Sequence, residues 1–424
     1  METNEMIREF KTPFYYYDIE ELKKRIDMMR GYQKDIGLCF AMKASPILAG
    51  YIAPYVDRLE VCSPGEYEIC IRDGVSQEKI LVSGVNKTRE SMRRILSLGG
   101  KDCLFTIESP EHFEILEDVM EGFKDDASVS GKPIRIYIRL TSGNQFGVDR
   151  TTFEELCEKV DSSDYMELIG IHYFSGTQKS LKKIEKELTE LSEYGKAISE
   201  KYGRNFSLEY GPGLGIDYFT GNGEGIEGEL YRYNESDIAR LMEIVKETDI
   251  KNSFSEITFE YGRYIAATCG KYYTGVADVK TSDGTSYAIL EGGLHQISYY
   301  GSMAGMKVPY IDYISSDTVK EGTASDTDET DKATSTDTKE KQDYVLAGSL
   351  CSVNDVLVRK ISLPKLDIGD TLCFNLTGAY CATEGIALFL SRDLPAIVIR
   401  DAEGNIRMVR DHSETNIYNG GFKK

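Results

Sequence analysis

Short strand-like runs alternate with longer amphipathic stretches between residues 37 and 262. Eight such runs can be counted: Leu38–Met42, Arg58–Val61, Ile80–Ser83, Leu104–Ile107, Ile134–Leu140, Leu168–Tyr173, Phe206–Glu209 and Ile257–Tyr261. The clearest amphipathic stretch, 181–198, places apolar residues three and four positions apart, which is the period of a helix. Eight strands that alternate with helices predict a (β/α)8 TIM-type barrel, with an open, doubly wound sheet as the alternative.

After residue 265 the strand-like runs are short, and Gly, Pro and Asp-Gly turn signals separate them. This pattern predicts a C-terminal all-β domain, a β-barrel or sandwich, over residues 266–424, preceded by the (β/α)8 barrel over residues 31–265. The run Pro13–Tyr17 is also strand-like. We expect the N-terminal segment, residues 1–30, to pair with the later β domain.

Residues 315–343 are rich in Ser, Thr, Asp, Glu and Lys and have almost no apolar side chains. A segment of this kind buries too little surface to offset the entropy lost on ordering, so a disordered acidic insertion is predicted there. A regulatory phosphorylation loop is the alternative to a tolerated surface insertion.

The overall composition excludes some classes of protein. With 50 Lys and Arg against 70 Asp and Glu, the formal charge is −20, which argues against a nucleic-acid surface. No run of about 18 apolar residues occurs, and the charged start Met1–Met6 does not resemble a secretory signal. The nine cysteines form no CxxC pair, which argues against structural zinc and a disulfide framework. We expect a cytoplasmic protein without a metal.

One lysine, Lys43, ends the first run in Phe40-Ala41-Met42-Lys43-Ala44-Ser45-Pro46. An amine at the end of an apolar strand loses hydration, which lowers its pKa and makes it a better nucleophile toward aldehydes. The ordinary interpretation is a lysine that extends its ammonium group from a strand end into water. The residues after the other strands decide between the two.

In a barrel, functional residues gather where strands end and βα loops begin. Distinctive residues lie at the ends of five other strands or directly after them: Glu60 and Ser63-Pro64-Gly65-Glu66, Arg139 and Gln145-Phe146-Gly147, His172 through Gln178, Tyr210 through Gly215, and Glu260-Tyr261-Gly262-Arg263. Lys43 would therefore lie among several charged and glycine-rich strand ends.

This ordered set resembles the fold-type III pyridoxal-phosphate decarboxylases, the ornithine/diaminopimelate/arginine decarboxylase group, which has the alanine racemase-like fold. The resemblance covers nearly the whole chain apart from the acidic segment and continues through 348–355 and Gly378-Ala379-Tyr380. It implies pyridoxal 5'-phosphate as the cofactor, held by Lys43 as a Schiff base. It also implies that Glu260 keeps the pyridine nitrogen protonated, so that the ring accepts the electron pair released with carbon dioxide.

The resemblance also assigns the remaining cofactor contacts. Glycine is needed where the backbone approaches an anion closely. The phosphate would therefore lie against the backbone of residues 211–215 and 262–263, after the seventh and eighth strand-like runs. Arg139 would contact the phenolic oxygen of the cofactor or a neighbouring carboxylate, and these two readings stay open. His172 is given no role. The implied contacts, with Lys43 and Glu260, are Glu60, Arg139, Phe174, Thr177, Gly211, Gly213, Gly215, Gly262, Arg263 and Tyr380.

Three residues of the β domain complete the implied site. Cys351 would enter from the neighbouring subunit and protonate the substrate carbon after decarboxylation. Ser352 and Asp355 are the candidate substrate-binding residues, and Asp355 is also placed to orient the loop. A site completed by a partner implies an isologous homodimer.

The chain departs from the family pattern at three places. Phe174 stands where a histidine usually stacks on the cofactor ring; an aromatic face remains there, but a proton carrier is lost. Ser352 stands where family members that act on diamino acids usually place an acid. No arginine lies between Gly292 and Tyr313, where diaminopimelate decarboxylases have one.

The leading hypothesis is an amino-acid α-decarboxylase similar to diaminopimelate decarboxylase. Ser352 and Phe174 favour a substrate without a distal cation, or an amino acid tethered to a carrier protein in a secondary pathway. A pyridoxal-phosphate-dependent racemase is a second alternative, against which the acidic Glu260 argues. A non-catalytic, decarboxylase-like binding or regulatory protein is the third, against which the presence of both Lys43 and Glu260 argues.

Overall fold

The computed structural model describes residues 3–126, 131–220, 235–321 and 340–420. The chain divides into two compact units. Lys23–Ile216 and Tyr233–Ile265 form the barrel unit, and Met1–Leu22, Asp217–Arg232 and Ala266–Lys424 form the β unit. Among the described residues, no helix has the length and apolar character needed to cross a membrane.

The chain begins with α1 (Thr3–Phe10), β1 (Phe14–Asp18) and α2 (Ile19–Tyr32), before the strands of the barrel. The barrel strands are β2 (Gly37–Ala41), β3 (Arg58–Val61), β4 (Ile80–Val82), β5 (Leu104–Ile107), β6 (Ile134–Leu140), β7 (Met166–Phe174), β8 (Ser207–Gly211) and β10 (Ile257–Tyr261), while the two-residue β9 (Phe219–Thr220) belongs to the β unit. The barrel strands pair in parallel and close through β10 and β2. The predicted (β/α)8 barrel is confirmed, and the open-sheet alternative is wrong.

The helices of the barrel unit are α3 (Ala49–Ile52), α4 (Pro64–Arg72), α5 (Arg89–Ser97), α6 (Pro110–Gly122), α7 (Arg150–Asp161), α8 (Leu181–Tyr202), α9 (Glu235–Glu247) and α10 (Arg263–Ala266). Several of these helices begin with a serine N-cap. Ser63, Ser109 and Ser180 each accept a hydrogen bond from the backbone N–H three residues later. These caps fix where the βα loops end, and therefore which residues remain at the mouth of the barrel.

The β unit is built on a nine-stranded sheet. Its later strands are β11 (Gly270–Ser282), β12 (Thr285–Leu290), β14 (Ile311–Ile314), β15 (Lys341–Ala347), β16 (Val356–Pro364), β17 (Thr371–Phe374), β18 (Ala396–Arg400) and β19 (Ile406–Arg410); β13 (Val308–Pro309) pairs with β9. β1 lies between β11 and β18, antiparallel to the first and parallel to the second. Helix α1 packs Met6, Ile7 and Phe10 against this part of the sheet. The N-terminal strand is therefore part of the β unit.

The acidic segment differs from the expectation at both of its described ends. Residues 322–339, the centre of the predicted insertion, lie outside the described residues. Before them is the short helix α11 (Ser316–Glu321), where the backbone N–H of Ser316 donates to the buried Asp370 carboxylate. After them, β15 begins at Lys341 and buries Tyr344 and Leu346 between β12 and β16. The ladder partners extend order into residues whose polar composition alone predicts none. The chain described ends with α12 (Asn416–Asn419).

Candidate active site

Lys43 lies in the short 3-10 turn Met42–Ala44 that follows β2. Its Nζ donates to Glu60 Oε2 at 3.1 Å, and Cys62 Sγ is 3.8 Å away. The Lys43 side chain is 39% exposed, whereas Glu60 is 2% exposed. The sequence argument assumed a desolvated amine, and the structure corrects it: the lysine remains accessible and is held by a buried carboxylate on the neighbouring strand.

Glu60 is the anionic member of this pair. Burial by itself raises the pKa of Glu60, but the charge of Lys43, the ring of His172 and a hydrogen bond from Cys62 outweigh burial and lower that pKa to about 2. Cys62 Sγ donates to the other carboxylate oxygen, Oε1, at 3.2 Å. Burial and the Glu60 charge raise the pKa of the Cys62 thiol well above its usual value, so this cysteine is a hydrogen-bond donor.

Glu260, near the end of β10, is paired with His172 on β7. The distance between His172 Nε2 and Glu260 Oε1 is 3.1 Å, and both side chains are buried. Because a carboxylate oxygen accepts a hydrogen bond, Nε2 carries the proton in this contact. The other ring nitrogen, Nδ1, has no partner among the described residues. Sequence reasoning assigned no role to His172, because its partner Glu260 lies 88 residues away in the chain.

Beneath Glu260, the barrel interior contains a further buried carboxylate, Glu209 on β8. Arg58 Nη1 donates to Glu209, to the Tyr137 hydroxyl and to Thr258 Oγ1. Burial raises the pKa of Glu209 to about 8, opposed by Arg58 and assisted by Glu260. Sequence reasoning missed Glu209, although a glutamate within an otherwise apolar strand was a visible signal.

The loops after β7, β8 and β10 come together at one side of the barrel mouth. Gly213 has a φ of +61°, and a Cβ added there would lie 2.2 Å from the Gly176 carbonyl oxygen. Among the described residues, the backbone N–H groups of 213–215 have no acceptor. Arg263 Nε donates to Thr177 Oγ1 at 2.8 Å, and Arg263 is 6% exposed. Free N–H groups beside a buried guanidinium form a site suited to an anion.

Phe174, at the end of β7, presents an aromatic ring between the lysine and this anion site. Lys43 Nζ lies 5.7 Å from the centre of the ring. The ring also meets Gly211, where an added Cβ would lie 2.4 Å from Phe174 Cδ2. Gly211 is therefore required for the ring to lie against β8. Gly215 is similarly confined, because a Cβ added there would lie 2.7 Å from Gln178 Oε1.

Arg139 contacts a neighbouring carboxylate, one of its two predicted alternatives. Its Nη1 donates to Glu108 Oε2 at 3.1 Å, and both side chains are buried. Lys87 lies near this pair and donates to the Gly84 carbonyl at 2.7 Å. Burial lowers the pKa of Lys87 to about 8, against the charge of Glu108. Sequence reasoning missed Glu108 and Lys87, although both follow barrel strands.

The predicted site residues of the β unit lie on two of its loops. Cys351 is exposed and is a free thiol, and Ser352 Oγ accepts a hydrogen bond from the Asn354 backbone at 3.3 Å. Asp355 is 2% exposed and accepts hydrogen bonds from the backbone of Leu294 and Leu350, each at 2.8 Å. These contacts favour loop orientation over substrate binding for Asp355. Tyr380 is half-buried with a φ of +66°.

The donor set of the barrel unit fits a flat, phosphorylated aromatic aldehyde. It offers an accessible amine at Lys43, an aromatic face at Phe174, a buried carboxylate at Glu260 and an anion site whose glycines leave no room for side chains. These groups lie at the carboxyl ends of the barrel strands, as in other barrels with active sites.

Comparison with known proteins agrees with a site for a phosphorylated aromatic aldehyde. Residues 19–267 match the family described as pyridoxal-dependent decarboxylase, pyridoxal binding domain. A protein of Niallia circulans named L-glutamyl-[BtrI acyl-carrier protein] decarboxylase is 27% identical over 429 residues, which cover 96% of this chain and 93% of the relative. The diaminopimelate decarboxylase of Aquifex aeolicus is 23% identical over 400 residues, which cover 89% and 84%. The crystal structure of the Helicobacter pylori diaminopimelate decarboxylase with L-lysine has a TM-score of 0.77 at 19% identity and covers 98% of both chains.

The chain belongs to the family of pyridoxal-dependent decarboxylases. It is a carboxy-lyase similar to the diaminopimelate decarboxylases. The predicted family, fold class and type of enzyme are thereby confirmed, and the racemase and non-catalytic alternatives are not favoured.

Proposed function

We propose that the barrel unit binds pyridoxal 5'-phosphate and that the enzyme removes the α-carboxyl group of an amino acid. When bound, the cofactor supplies an electron sink for the electron pair that remains after carbon dioxide departs. The observation that carries the proposal is the accessible Lys43 amine, paired with the anionic Glu60 at the carboxyl end of the barrel. Lys43 would hold the cofactor aldehyde covalently through Nζ.

The other barrel residues bind and orient the cofactor. Glu260 would keep a proton at the ring nitrogen, and the 3.1 Å contact with His172 would hold that carboxylate in place. Phe174 would cover one face of the ring. The loops that contain Gly211, Gly213, Gly215 and Gly262, with Thr177 and Arg263, would bind the phosphate, and the resemblance adds Tyr380.

The attachment point can be tested by chemical trapping. Borohydride reduction of the purified protein should abolish its visible absorption and leave a pyridoxyl adduct on the peptide that contains Lys43, detected by mass spectrometry. Lys43→Ala should show neither signal, whereas Lys182→Ala, an exposed lysine on α8, should show both. A wild-type protein without visible absorption when supplied with the cofactor would refute the cofactor assignment.

For the substrate, we infer an amino acid without a free distal ammonium group, with a glutamyl group on a carrier protein as the first candidate. Two observations support this inference. The relative that is 27% identical is named for a carrier-bound glutamyl group. Ser352 has a neutral hydroxyl where an acid would pair with a distal cation. Diaminopimelate is the reference substrate, because the name of several relatives specifies it.

Release of labelled carbon dioxide distinguishes these substrates. We expect diaminopimelate, ornithine and lysine to react more slowly than a carrier-bound glutamyl group. A hydrogen bond to a charged group contributes about 1.5–3 kcal/mol, which corresponds to roughly one to two powers of ten. Ser352→Asp should raise the rate with diaminopimelate, and Ser349→Asp in the same loop serves as the control. Efficient wild-type turnover of diaminopimelate would contradict the inference.

We also propose a homodimer in which Cys351 of one subunit acts at the barrel of the other. The geometry of this loop supports the proposal: Cys351 is exposed and Val353 is 94% exposed, which is unusual for an apolar side chain unless another surface covers it. Cys351 would deliver a proton to the substrate carbon after carbon dioxide departs.

A further inference from the structure

A buried lysine that the proposed reaction does not use, Lys179, lies in the loop after β7. Lys179 is 8% exposed, and Nζ donates to the Glu187 carboxylate at 2.7 Å. It also donates to the carbonyl of Gly211 at 2.9 Å, to Ser175 Oγ at 3.2 Å and to the Tyr210 hydroxyl at 3.3 Å. The hydrogen-bonding capacity of the ammonium group is therefore satisfied within the protein.

Glu187, on α8, completes this pair from the other side. It is 5% exposed, and its carboxylate also accepts hydrogen bonds from the Ser175 and Tyr210 hydroxyls. Taking two charges out of water costs free energy that their attraction repays only when the geometry is good. Burial lowers the pKa of Lys179 to about 8, against the opposing effect of Glu187. A buried pair is therefore weak evidence for a purely stabilising role.

The position of the pair relative to the anion site gives it a more specific task. Lys179 connects three elements: its own loop, α8 through Glu187, and the end of β8 through Gly211. Its backbone N–H donates to the Gly213 carbonyl at 2.9 Å, and an added Cβ at Gly213 would lie 2.9 Å from Lys179 Cε. The loop that contains Thr177 and the loop that contains Gly213 are therefore joined through Lys179.

We infer that Lys179 and Glu187 form a positioning pair, which sets the distance between the loops of 175–178 and 211–215 and so determines the affinity for the phosphate group of the cofactor. The inference rests on the proposed function. The pair acts on the loops and not on the closure of the barrel, because the β7–β8 ladder continues from Gly170 and Ser207 to Phe174 and Gly211 by its own backbone hydrogen bonds.

The test compares two aldehydes that differ only in the phosphate. Cofactor-free wild type and variants are titrated with pyridoxal 5'-phosphate and with pyridoxal, and binding is followed by absorbance and by the mass of the borohydride-trapped protein. The main variant is Lys179→Met with Glu187→Met, because replacement of a whole buried pair by apolar residues leaves no unpaired charge. Glu187→Gln is the second variant, and Lys179→Arg keeps the charge.

We expect the double variant to lose about tenfold or more in affinity for the phosphate ester, the factor typical of lost charge-assisted hydrogen bonds, with its affinity for pyridoxal unchanged. Glu187→Gln should show the same selective loss, and Lys179→Arg should retain most of the wild-type affinity. The control is Lys186→Met with Glu190→Met, an exposed pair on the same helix, 3.7 Å apart. It should bind both aldehydes as the wild type does.

Two other outcomes separate this inference from the proposed function. Wild-type affinity for the phosphate ester in both the double variant and Glu187→Gln, or an equal loss for the two aldehydes, would overturn the positioning role alone. A wild-type protein that binds neither aldehyde would overturn the proposed function, and the positioning role with it. Melting temperatures of the cofactor-free proteins show whether each variant is folded.

Discussion

Lys43 and Glu60 form an ion pair in which the lysine is accessible and the glutamate is buried. The lysine must remain accessible to an aldehyde, whereas the carboxylate that holds it lies almost entirely inside the barrel. Burial makes an isolated carboxylate less acidic, and only nearby positive charge and hydrogen bonds reverse that tendency. For Glu60 these partners are Lys43, His172 and Cys62, each from a different strand end. The acidity of one residue thus depends on the assembly of three strands.

This dependence predicts how stability changes with pH. The pKa of Glu60 is lowered from 4.5 to about 2, so its contribution to stability is fully present above 4.5 and is lost as the pH falls toward about 2. The melting temperature of the cofactor-free wild type, minus that of Glu60→Gln, should therefore decrease as the pH falls from 6 toward 3. Glu78→Gln, at an exposed position, should follow the wild type throughout. A difference that stays constant with pH would contradict the low pKa.

Sequence reasoning found the residues that act at the surface of the site but not those behind them. Lys43, Phe174, Thr177 and Arg263 follow strands and are recognisable by type and order. His172, Lys179 and Glu209 derive their importance from partners on other strands or helices, such as Glu260, Glu187 and Arg58. No spacing within one segment contains that information, because the barrel alone brings these residues together.

At the scale of elements, the barrel was predictable because its strands are buried and its helices carry clear caps. The predicted runs Arg58–Val61, Leu104–Ile107, Ile134–Leu140 and Ile257–Tyr261 coincide with the observed strands. In the β unit, β14 and β19 are not evident from the local sequence pattern. Both are short and pair on one side only in the sheet, and β19 alternates exposed and half-buried residues without a fully buried position. Their order depends on neighbouring strands, which no local pattern reveals.

The loops that form the anion site show how far a motif can be interpreted. The glycines after β8 indicate a close approach of the backbone to something, but the sequence does not say to what. In the structure the close neighbours are Phe174 at Gly211, the Gly176 carbonyl at Gly213 and Gln178 at Gly215. These glycines therefore allow the loop after β8 to pack against the loop after β7, and they also leave space for an anion. Both effects depend on the position of the loop after β7.

At the scale of the whole molecule, the proposed catalytic roles fall to residues of both units, since Lys43 belongs to the barrel unit and Cys351 to the β unit. If the site is shared between subunits, a subunit with Lys43→Ala and a subunit with Cys351→Ala complement each other. In the mixed dimer, one site loses both residues and the other retains both. Random mixing makes half of the dimers mixed, so about one quarter of wild-type amine formation should return in an isologous dimer.

The measurement is the amount of product amine formed after the two inactive proteins are mixed under conditions that allow subunits to exchange.

Two control mixtures are needed to interpret the amount of activity that returns. Mixing Lys43→Ala with Lys43→Arg should restore nothing, because both defects lie in the same residue. A double variant that carries Lys43→Ala and Cys351→Ala in one chain, mixed equally with wild type, should leave about one quarter of all sites active, because both sites of every mixed dimer lack one residue and only the wild-type dimers stay active. Sites complete within a single chain would instead leave about half of them active. The expected quarter must be corrected for the fraction of mixed dimers, measured by native mass spectrometry. If the mixture of Lys43→Ala with Cys351→Ala stays inactive although mixed dimers form, Cys351 acts within its own chain, and the shared site is refuted. A Cys351→Ala protein that is active before mixing would refute the role of Cys351 itself.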